Sequence, residues 1–342
     1  MNEKPKIMII DTYYREFLRS IQLHRPLFTD YETSLEWLME QCFGTFDAYS
    51  RGLSLLGWET MDVIANCDWL QSQWQTKYGK PGPVLHQQIM KFNPNVLFLQ
   101  DLHAIPPRDL ARYRDDYWIA GQLSCPWPGD EVVSNFDVLF TSFPHYLPRF
   151  VNLGVKCAFV PLAFDPAVHA RLSPNDRNEE RIIDVSFVGG MGKQFGEREK
   201  IVDYMLKYVP GFRDFGYGGS SAPAWGLDMY RVYRNSKIVL NIHHPAAEGF
   251  SNNLRMFEAT GMGALLLTET SPNIEDYFKP GIECVTYPTL GAAIRVIRDL
   301  LDHQDALELI AAAGQKRTLS RHTYDRPNRL PIVSAVLQEL LS

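Results

Sequence analysis

The 342-residue chain is 45% hydrophobic and 22% charged, with a formal net charge of −6, the make-up of an ordinary globular protein. One hydrophobic core rarely fills that length, so two domains are expected. The negative balance excludes a general nucleic-acid binder, which needs a basic surface, and no stretch reaches the apolar length of a transmembrane segment.

Five cysteines (Cys42, Cys67, Cys125, Cys157, Cys284) are far apart, odd in number and form no CxxC pair. That pattern fits reduced thiols and a cytoplasmic setting, free or peripheral at a membrane. Residues 1–5 pass straight into a strand pattern without signal-peptide features.

Residues 6–10 read as a buried strand closing on Asp11. Ligands collect at the carboxyl ends of strands in open α/β sheets, so Asp11 is a site candidate; a turn-forming role fits it equally. Residues 33–56 keep helical spacing through Leu35, Leu38, Met39, Cys42, Phe46, Tyr49 and Leu53, and are predicted as largely helical despite Gly44 and Gly52. A second strand is expected over 59–65. The stretch 67–83, with Trp69, Trp74 and Tyr78 in a polar background, reads as irregular or lid-like. After a helix at 84–92, the strand at 95–100 closes on Asp101-Leu102-His103, which puts Asp101 and His103 at another carboxyl end. Further strands at 118–123, 137–141 and 156–161 complete an alternation that predicts a mainly parallel, doubly wound sheet.

Residues 161–181 change character, with Pro161, Pro166 and Pro174 and a polar run at 175–180, and form the best linker in the chain. The next strand, 183–188, ends on Gly189-Gly190-Met191-Gly192-Lys193 before a helix at 197–208. Strand, glycine turn and helix let backbone N–H groups approach phosphate oxygens, with Lys193 and Arg198 as cationic neighbours. The turn is neither a Walker loop nor GxGxxG, and a tight turn without a ligand is the alternative. A strand at 212–217 leads into a glycine-serine loop at 218–221; a helix at 229–235 and a strand at 237–242 follow. The His243-His244 pair does not predict a metal. Neighbouring side chains on extended backbone point to opposite faces, and no adjacent carboxylate or Cys completes a ligand set.

The stretch 249–269 then reads as loop, short helix, glycine turn and buried strand. Ser251 or Asn252 can cap the helix, and Asn252, Arg255 and Glu258 are spaced three apart on one face. N–H groups and a guanidinium suit a diphosphate, and a carboxylate suits paired sugar hydroxyls. A solvated amphipathic helix explains the same spacing. A helix or turn at 272–280, a strand at 283–287 and helices at 290–301, 306–317 and 331–341 close the chain.

Taken in order, Val188-Gly189-Gly190, Tyr217-Gly218, the segment 235–241, Asn253-Leu254-Arg255-Met256-Phe257-Glu258-Ala259, 263–269 and 278–285 resemble the C-terminal domain of GT-B glycosyltransferases. More narrowly they resemble the spore-maturation-type group, over residues 184–324. The resemblance implies an α/β GT-B fold of two Rossmann-like domains facing across a cleft. The boundaries are 1–165 for an acceptor domain, 166–182 for a linker, 183–325 for a nucleotide-sugar donor domain, and 326–342 for a helix returning to the first domain.

It also implies that Glu258 binds the donor ribose and that Asn252, Asn253 and Arg255 lie near the diphosphate, opposite Gly189 and Gly190. Tyr217 and Gly218 would border the base. Lys193, Arg198 and His243 complete the expected donor set. Retaining families carry another Glu eight residues before the ribose Glu; here Phe250 holds that position, and the nearest acid is Glu248. Retention of configuration is therefore not inferred.

The activity implied is transfer of a sugar from a nucleotide-sugar to a glycan, lipid-linked or protein acceptor, with no metal or cofactor expected. Asp101 and His103, ahead of Asp11, are the candidate bases, and Tyr13, Tyr14 and Trp127 are candidates to line an acceptor cleft. A sugar-nucleotide epimerase of the same fold and a non-catalytic carbohydrate- or protein-binding module are the rival readings.

Overall fold

The computed structural model describes residues 3–28, 30–173, 180–192 and 195–342. Two compact units divide the chain. Residues 1–161 and 324–342 form the first, and residues 162–323 the second.

The first unit is built on six parallel strands: β1 (Lys6–Asp11), β2 (Glu59–Ile64), β3 (Val96–Leu99), β4 (Trp118–Gln122), β5 (Val138–Thr141) and β6 (Lys156–Phe159). Their order is β2-β1-β3-β4-β5-β6. The central strands are apolar on both faces, as helix-covered parallel strands must be; Ile7, Val96, Phe98, Ala120, Val138 and Phe140 enter one core. The last helix, Leu330–Leu341, completes that core with Leu330, Val333 and Leu337. The Trp58 indole N–H donates to Ser334 Oγ at 2.9 Å. The returning helix is thus part of the unit's interior, as the resemblance implies.

Two local expectations are corrected in this unit. The stretch 33–56 is two helices, Tyr31–Glu40 and Ala48–Leu55. Between them Cys42, Gly44 and Phe46 all have positive φ. Buried Cys42 and Phe46 keep the helical spacing because they anchor the turn in the core, so the periodicity concealed the break. The stretch 67–83 holds a regular helix, Asp68–Tyr78, which buries Leu70, Gln71 and Trp74. Its polar composition belongs to its outer face.

The second unit holds five parallel strands: β7 (Ile183–Phe187), β8 (Phe212–Asp214), β9 (Ser236–Leu240), β10 (Leu265–Glu269) and β11 (Val285–Tyr287). Their order is β11-β10-β9-β7-β8. Val185, Phe187, Ile238, Leu240, Leu265 and Leu267 pack with Ile297 and Leu300 of the helix Leu290–Asp302. The linker-like stretch 166–182 includes a short helix, Ala167–Arg171; residues 174–179 lie outside the described ones. At its end Arg181 donates to the carbonyls of Tyr233, Arg234 and Ser236 through Nη1, and to that of Met262 through Nη2 at 3.1 Å. One guanidinium so satisfies the carboxyl ends of the two helices Leu227–Asn235 and Leu254–Gly261.

Candidate functional site

In each sheet the strand order reverses once, between β1 and β3 in the first unit and between β7 and β9 in the second. Open α/β sheets hold ligands just outside the carboxyl ends of the strands at such a switch point. The sequence-predicted residues gather at these two places.

In the second unit the chain leaves β7 through Val188, Gly189 and Gly190, and leaves β9 through Asn241, Ile242 and His243. The helix Leu254–Gly261 begins against both exits. Its cap is Asn253, not Ser251 or Asn252: Asn253 Oδ1 accepts from the Met256 N–H at 3.2 Å, and its Nδ2 donates to Asn241 Oδ1 at 2.7 Å. Asn253 has the extended backbone a cap requires. Arg255 then stitches the two exits together. Its Nε donates to Val188 O at 2.8 Å, and its Nη1 to Asn241 Oδ1 at 3.0 Å and Ile242 O at 3.3 Å. The guanidinium lies 4.7 Å from the Phe187 ring centroid.

This close approach explains the first glycine of the turn. A Cβ on Gly189 would fall 2.6 Å from Arg255 Nη2 and 2.9 Å from the Phe187 ring. Arg198, nearly fully buried, braces the same turn by donating from Nη1 to Gly190 O at 3.0 Å, with its guanidinium 4.5 Å from the Phe195 ring centroid. Lys193 lies outside the described residues. Two guanidinia thus stand behind the glycine turn, and both act on the nearby Glu269 carboxyl.

The turn also rests on Gly216, where a Cβ would meet Gly189 O at 1.8 Å. Gly216→Ala is therefore expected to displace the turn and to cost about 1–3 kcal/mol by overpacking. Thermal unfolding checks this, and an unchanged midpoint would show the contact to be slack. Met191 N donates to Tyr217 O at 2.9 Å. Half-exposed Tyr217 and Gly218, whose φ is +83°, thus sit beside the turn, and Asp214 closes their loop by accepting from Ser220 N at 2.7 Å.

His243 is half-buried, and its ring nitrogens meet uncharged groups. Its Nδ1 accepts from the Asn252 N–H at 3.3 Å, and its Nε2 lies 3.2 Å from Asn241 Nδ2 and 3.3 Å from Thr268 Oγ1. Asn241 Nδ2 donates to the same Thr268 oxygen at 3.0 Å. The backbone N–H of His243 donates to Glu269 Oε2 at 2.9 Å. Burial, reinforced by the Arg255 charge, pushes the imidazole down to about 4, so the ring is neutral at physiological pH. Glu258, one helical turn beyond Arg255, is buried and accepts from the Tyr230 hydroxyl at 3.2 Å. Burial pushes its carboxyl up to about 7, against the opposing pull of Arg255 and Tyr230. The stripe Asn252, Arg255, Glu258 is therefore no solvated face.

In the first unit the switch point brings Asp11 and Asp101 together through one residue. Asp11 Oδ1 accepts from Thr12 N at 2.8 Å, and Thr12 Oγ1 donates to Asp101 Oδ2. The other Asp101 oxygen accepts from His103 N at 2.9 Å, while the His103 side chain is exposed. Asp11 is the perturbed member: burial pushes it up to about 7, and the charges of Asp101 and Asp62 add to the rise. Tyr13 is buried beside Phe17 and Phe43, so it belongs to the core, and the Trp127 ring lies 3.7 Å below the Arg149 guanidinium.

Sequence reasoning missed Asn241, Thr268 and Glu269, which carry the hydrogen-bond lattice of the second unit. Their positions at or just after the ends of β9 and β10 were the available signal. Among the described residues no group of three or more His, Cys, Asp or Glu is placed to hold a metal ion, and no helix is long and apolar enough to cross a membrane.

This fold is that of the GT-B glycosyltransferases. Residues 198–328 match the family described as "Glycosyl transferase-like". Among solved structures, the chain is similar to sucrose-phosphate synthase from Thermosynechococcus elongatus (11% identity, 99% of each chain covered, TM-score 0.59). It is also similar to HepE of Anabaena in complex with UDP-glucose (10% identity, 98% of this chain and 99% of that one, TM-score 0.60). A third is a UDP-N-acetylglucosamine 2-epimerase, so described provisionally, from Listeria monocytogenes (11% identity, 99% of this chain and 97% of that one, TM-score 0.53). No curated protein matches the sequence.

Proposed function

We propose that this protein is a glycosyltransferase that takes a nucleotide-diphosphate sugar in its second unit and passes the sugar to a hydroxyl-bearing acceptor held by its first. The observation that carries the reading is the buried Glu258 carboxylate, one turn along the helix from the Arg255 lattice at the β7/β9 switch point. A carboxylate with one oxygen on Tyr230 keeps acceptor capacity for a pair of ribose hydroxyls. The Gly189-Gly190 turn and the start of the helix supply N–H groups to the diphosphate, with Asn252 beside them and Tyr217 and Gly218 bordering the base.

In transfer, the bond from the anomeric carbon to the diphosphate oxygen breaks and the acceptor oxygen takes its place. Negative charge grows on the departing diphosphate. Fixed N–H dipoles and the Arg255 and Arg198 charges oppose it without reorganising, so no divalent cation is invoked, and chelation should leave activity intact. The acceptor proton needs a base. Asp11 is favoured over Asp101 and His103, because a carboxyl near 7 is matched to proton transfer at neutral pH.

The test is thermal shift with UDP-, GDP-, dTDP-, ADP- and CMP-sugars. One class should stabilise the protein, since a ligand that binds only the folded state raises the melting temperature. No stabilisation by any of them overturns the reading. The likeness to the Listeria structure keeps an epimerase as a second reading. It predicts a changed sugar after incubation with the donor alone, whereas a transferase leaves the donor sugar unaltered until an acceptor is added.

A further inference from the structure

The two carboxylates at the first unit's switch point are held differently. Each oxygen of Asp101, just after β3, already accepts a hydrogen bond: Oδ2 from the Thr12 hydroxyl and Oδ1 from the His103 N–H at 2.9 Å. Asp11, the last residue of β1, has one oxygen engaged, with Oδ1 accepting from the Thr12 N–H at 2.8 Å. Among the described residues nothing donates to Asp11 Oδ2, and that atom is not one of the polar atoms sealed from solvent. The residue is half-buried, and this oxygen keeps its acceptor capacity.

Thr12 serves both carboxylates and is braced from the two strands that flank β1. On the β2 side, Ala65 N donates to Asp11 O at 2.8 Å, which holds the peptide between Asp11 and Thr12. The Asn66 amide bonds the backbone N and O of Tyr13 at 3.0 and 2.7 Å. On the β3 side, the Thr12 hydroxyl ties the turn to Asp101. A carboxylate acceptor makes that tie stronger than a neutral one would. It also draws the hydroxyl away from Asp11, so Thr12 meets Asp11 through its N–H.

We infer that Thr12 and Asp101 are positioning residues for the acceptor base: Asp101 holds the Thr12 hydroxyl, Thr12 holds Asp11 Oδ1 through its N–H, and Asp11 Oδ2 is the oxygen left to take the acceptor's proton. This division rests on the glycosyltransferase reading, and it gives two carboxylates that both stand at strand ends separate tasks. In the transfer step the acceptor O–H proton passes to Asp11 Oδ2 as the acceptor oxygen bonds to the anomeric carbon. The nucleoside diphosphate leaves with the electron pair of the broken bond, and Asp101 exchanges no proton. Its charge still acts on Asp11. Burial raises the Asp11 carboxyl, the Thr12 N–H opposes the rise, and the charges of Asp101 and of Asp62 on β2 add to it. Burial also pushes the neighbouring Tyr13 hydroxyl far up, so it stays protonated.

The experiment follows the carboxyl carbons of the full-length protein, labelled at aspartate, by carbon-13 NMR through the neutral pH range. Asp11→Asn identifies the Asp11 signal. Asp101→Asn keeps an acceptor for the Thr12 hydroxyl and loses the charge, so the Asp11 midpoint should fall. Thr12→Val keeps the shape and the backbone N–H but loses the tie to Asp101. The N–H should then slacken from Asp11 Oδ1 and the midpoint should rise, with Thr12→Ser restoring it. The same variants are assayed for release of nucleoside diphosphate from the nucleotide-sugar that stabilises the protein most, with water as acceptor. Asp11→Asn should lower kcat roughly a hundredfold or more. Thr12→Val should lower it on the order of tenfold through misplacement of the base, with the donor KM little moved, and Thr12→Ser should recover most of the loss. Asp101→Asn should move the acidic limb of the pH–rate profile to lower pH. The melting temperature of each variant confirms folding.

A Thr12→Val protein that matches the wild type in midpoint and rate overturns the inference, as does an Asp11 midpoint that Asp101→Asn leaves in place. An Asp101→Asn protein as slow as Asp11→Asn would make Asp101 the base and overturn the division of tasks. The carbon-13 measurement needs no substrate. If no nucleotide-sugar stabilises the protein, the transferase reading fails, while the midpoints still decide whether Thr12 and Asp101 set the Asp11 carboxyl.

Discussion

Arg255→Ala should unfold the second unit's switch point before it abolishes a ligand contact. The side chain donates to Val188 O, Asn241 Oδ1 and Ile242 O and covers the Phe187 ring. Removing it strips two backbone carbonyls of a charged donor and leaves a gap under Gly189. The expected loss is about 3–5 kcal/mol, since hydrogen bonds from charged groups contribute roughly 1.5–3 kcal/mol each and buried acceptors left behind add a penalty. Arg255→Lys should recover little of it, because one ammonium cannot reach two strand exits in the geometry of a planar fork. Denaturant unfolding followed by circular dichroism checks this. A variant as stable as the wild type, with donor affinity alone reduced, would show that Arg255 is a ligand contact rather than a brace. The same geometry changes how a sequence-level expectation should be tested. Loss of nucleotide-sugar binding in Arg255→Ala does not by itself place the guanidinium on the diphosphate.

The fold was legible because parallel strands buried on both faces announce themselves as short apolar runs, as β1, β3, β5 and β10 do. Helix periodicity was less reliable. Cys42 and Phe46 satisfied the helical spacing while occupying a turn with positive φ, because core-facing positions recur at similar intervals whether or not the backbone between them is helical. The helix Asp68–Tyr78 went unseen for the opposite reason. Three of its eleven residues are buried, so composition was dominated by the wet face. At the site, the helix carrying Arg255 and Glu258 was found from spacing and order. Spacing does not reveal where a guanidinium's bonds go: Arg255 and Arg198 both turned out to hold backbone carbonyls. Nor does it reveal partners supplied by distant strand ends, which is why Asn241 and Thr268 were passed over.

Glu258→Gln should make the protein more stable above neutral pH while removing its donor affinity. The Glu258 carboxyl titrates at about 7 in the folded protein, against an ordinary value of 4.5, because burial disfavours its charged form. The folded state therefore holds this proton more tightly than the unfolded chain. Stability from this group is fully present below about 4.5 and is lost as pH rises through 7. Glutamine carries no charge to desolvate. At pH 8 the variant should exceed the wild type by about 3 kcal/mol, and the difference should shrink as pH falls, reaching zero only below about 4.5. Donor binding should follow the opposite trend. The ionised carboxylate accepts from two hydroxyls at once, whereas the protonated form gives up acceptor capacity on one oxygen. Wild-type affinity should accordingly fall as pH drops below about 7, the folded-state value for this carboxyl, while the glutamine variant binds weakly and without that pH dependence. Parallel melting curves and donor titrations across this range measure both trends. A glutamine variant that binds the donor as well as the wild type at pH 8 would remove Glu258 from the site. One that binds weakly yet gains no stability would instead mean that a buried positive partner already compensates the ionised carboxylate. A stable, non-binding variant has the signature of a group kept for function at a cost to the fold: its charge is unfavourable where it sits until a ligand arrives to share it.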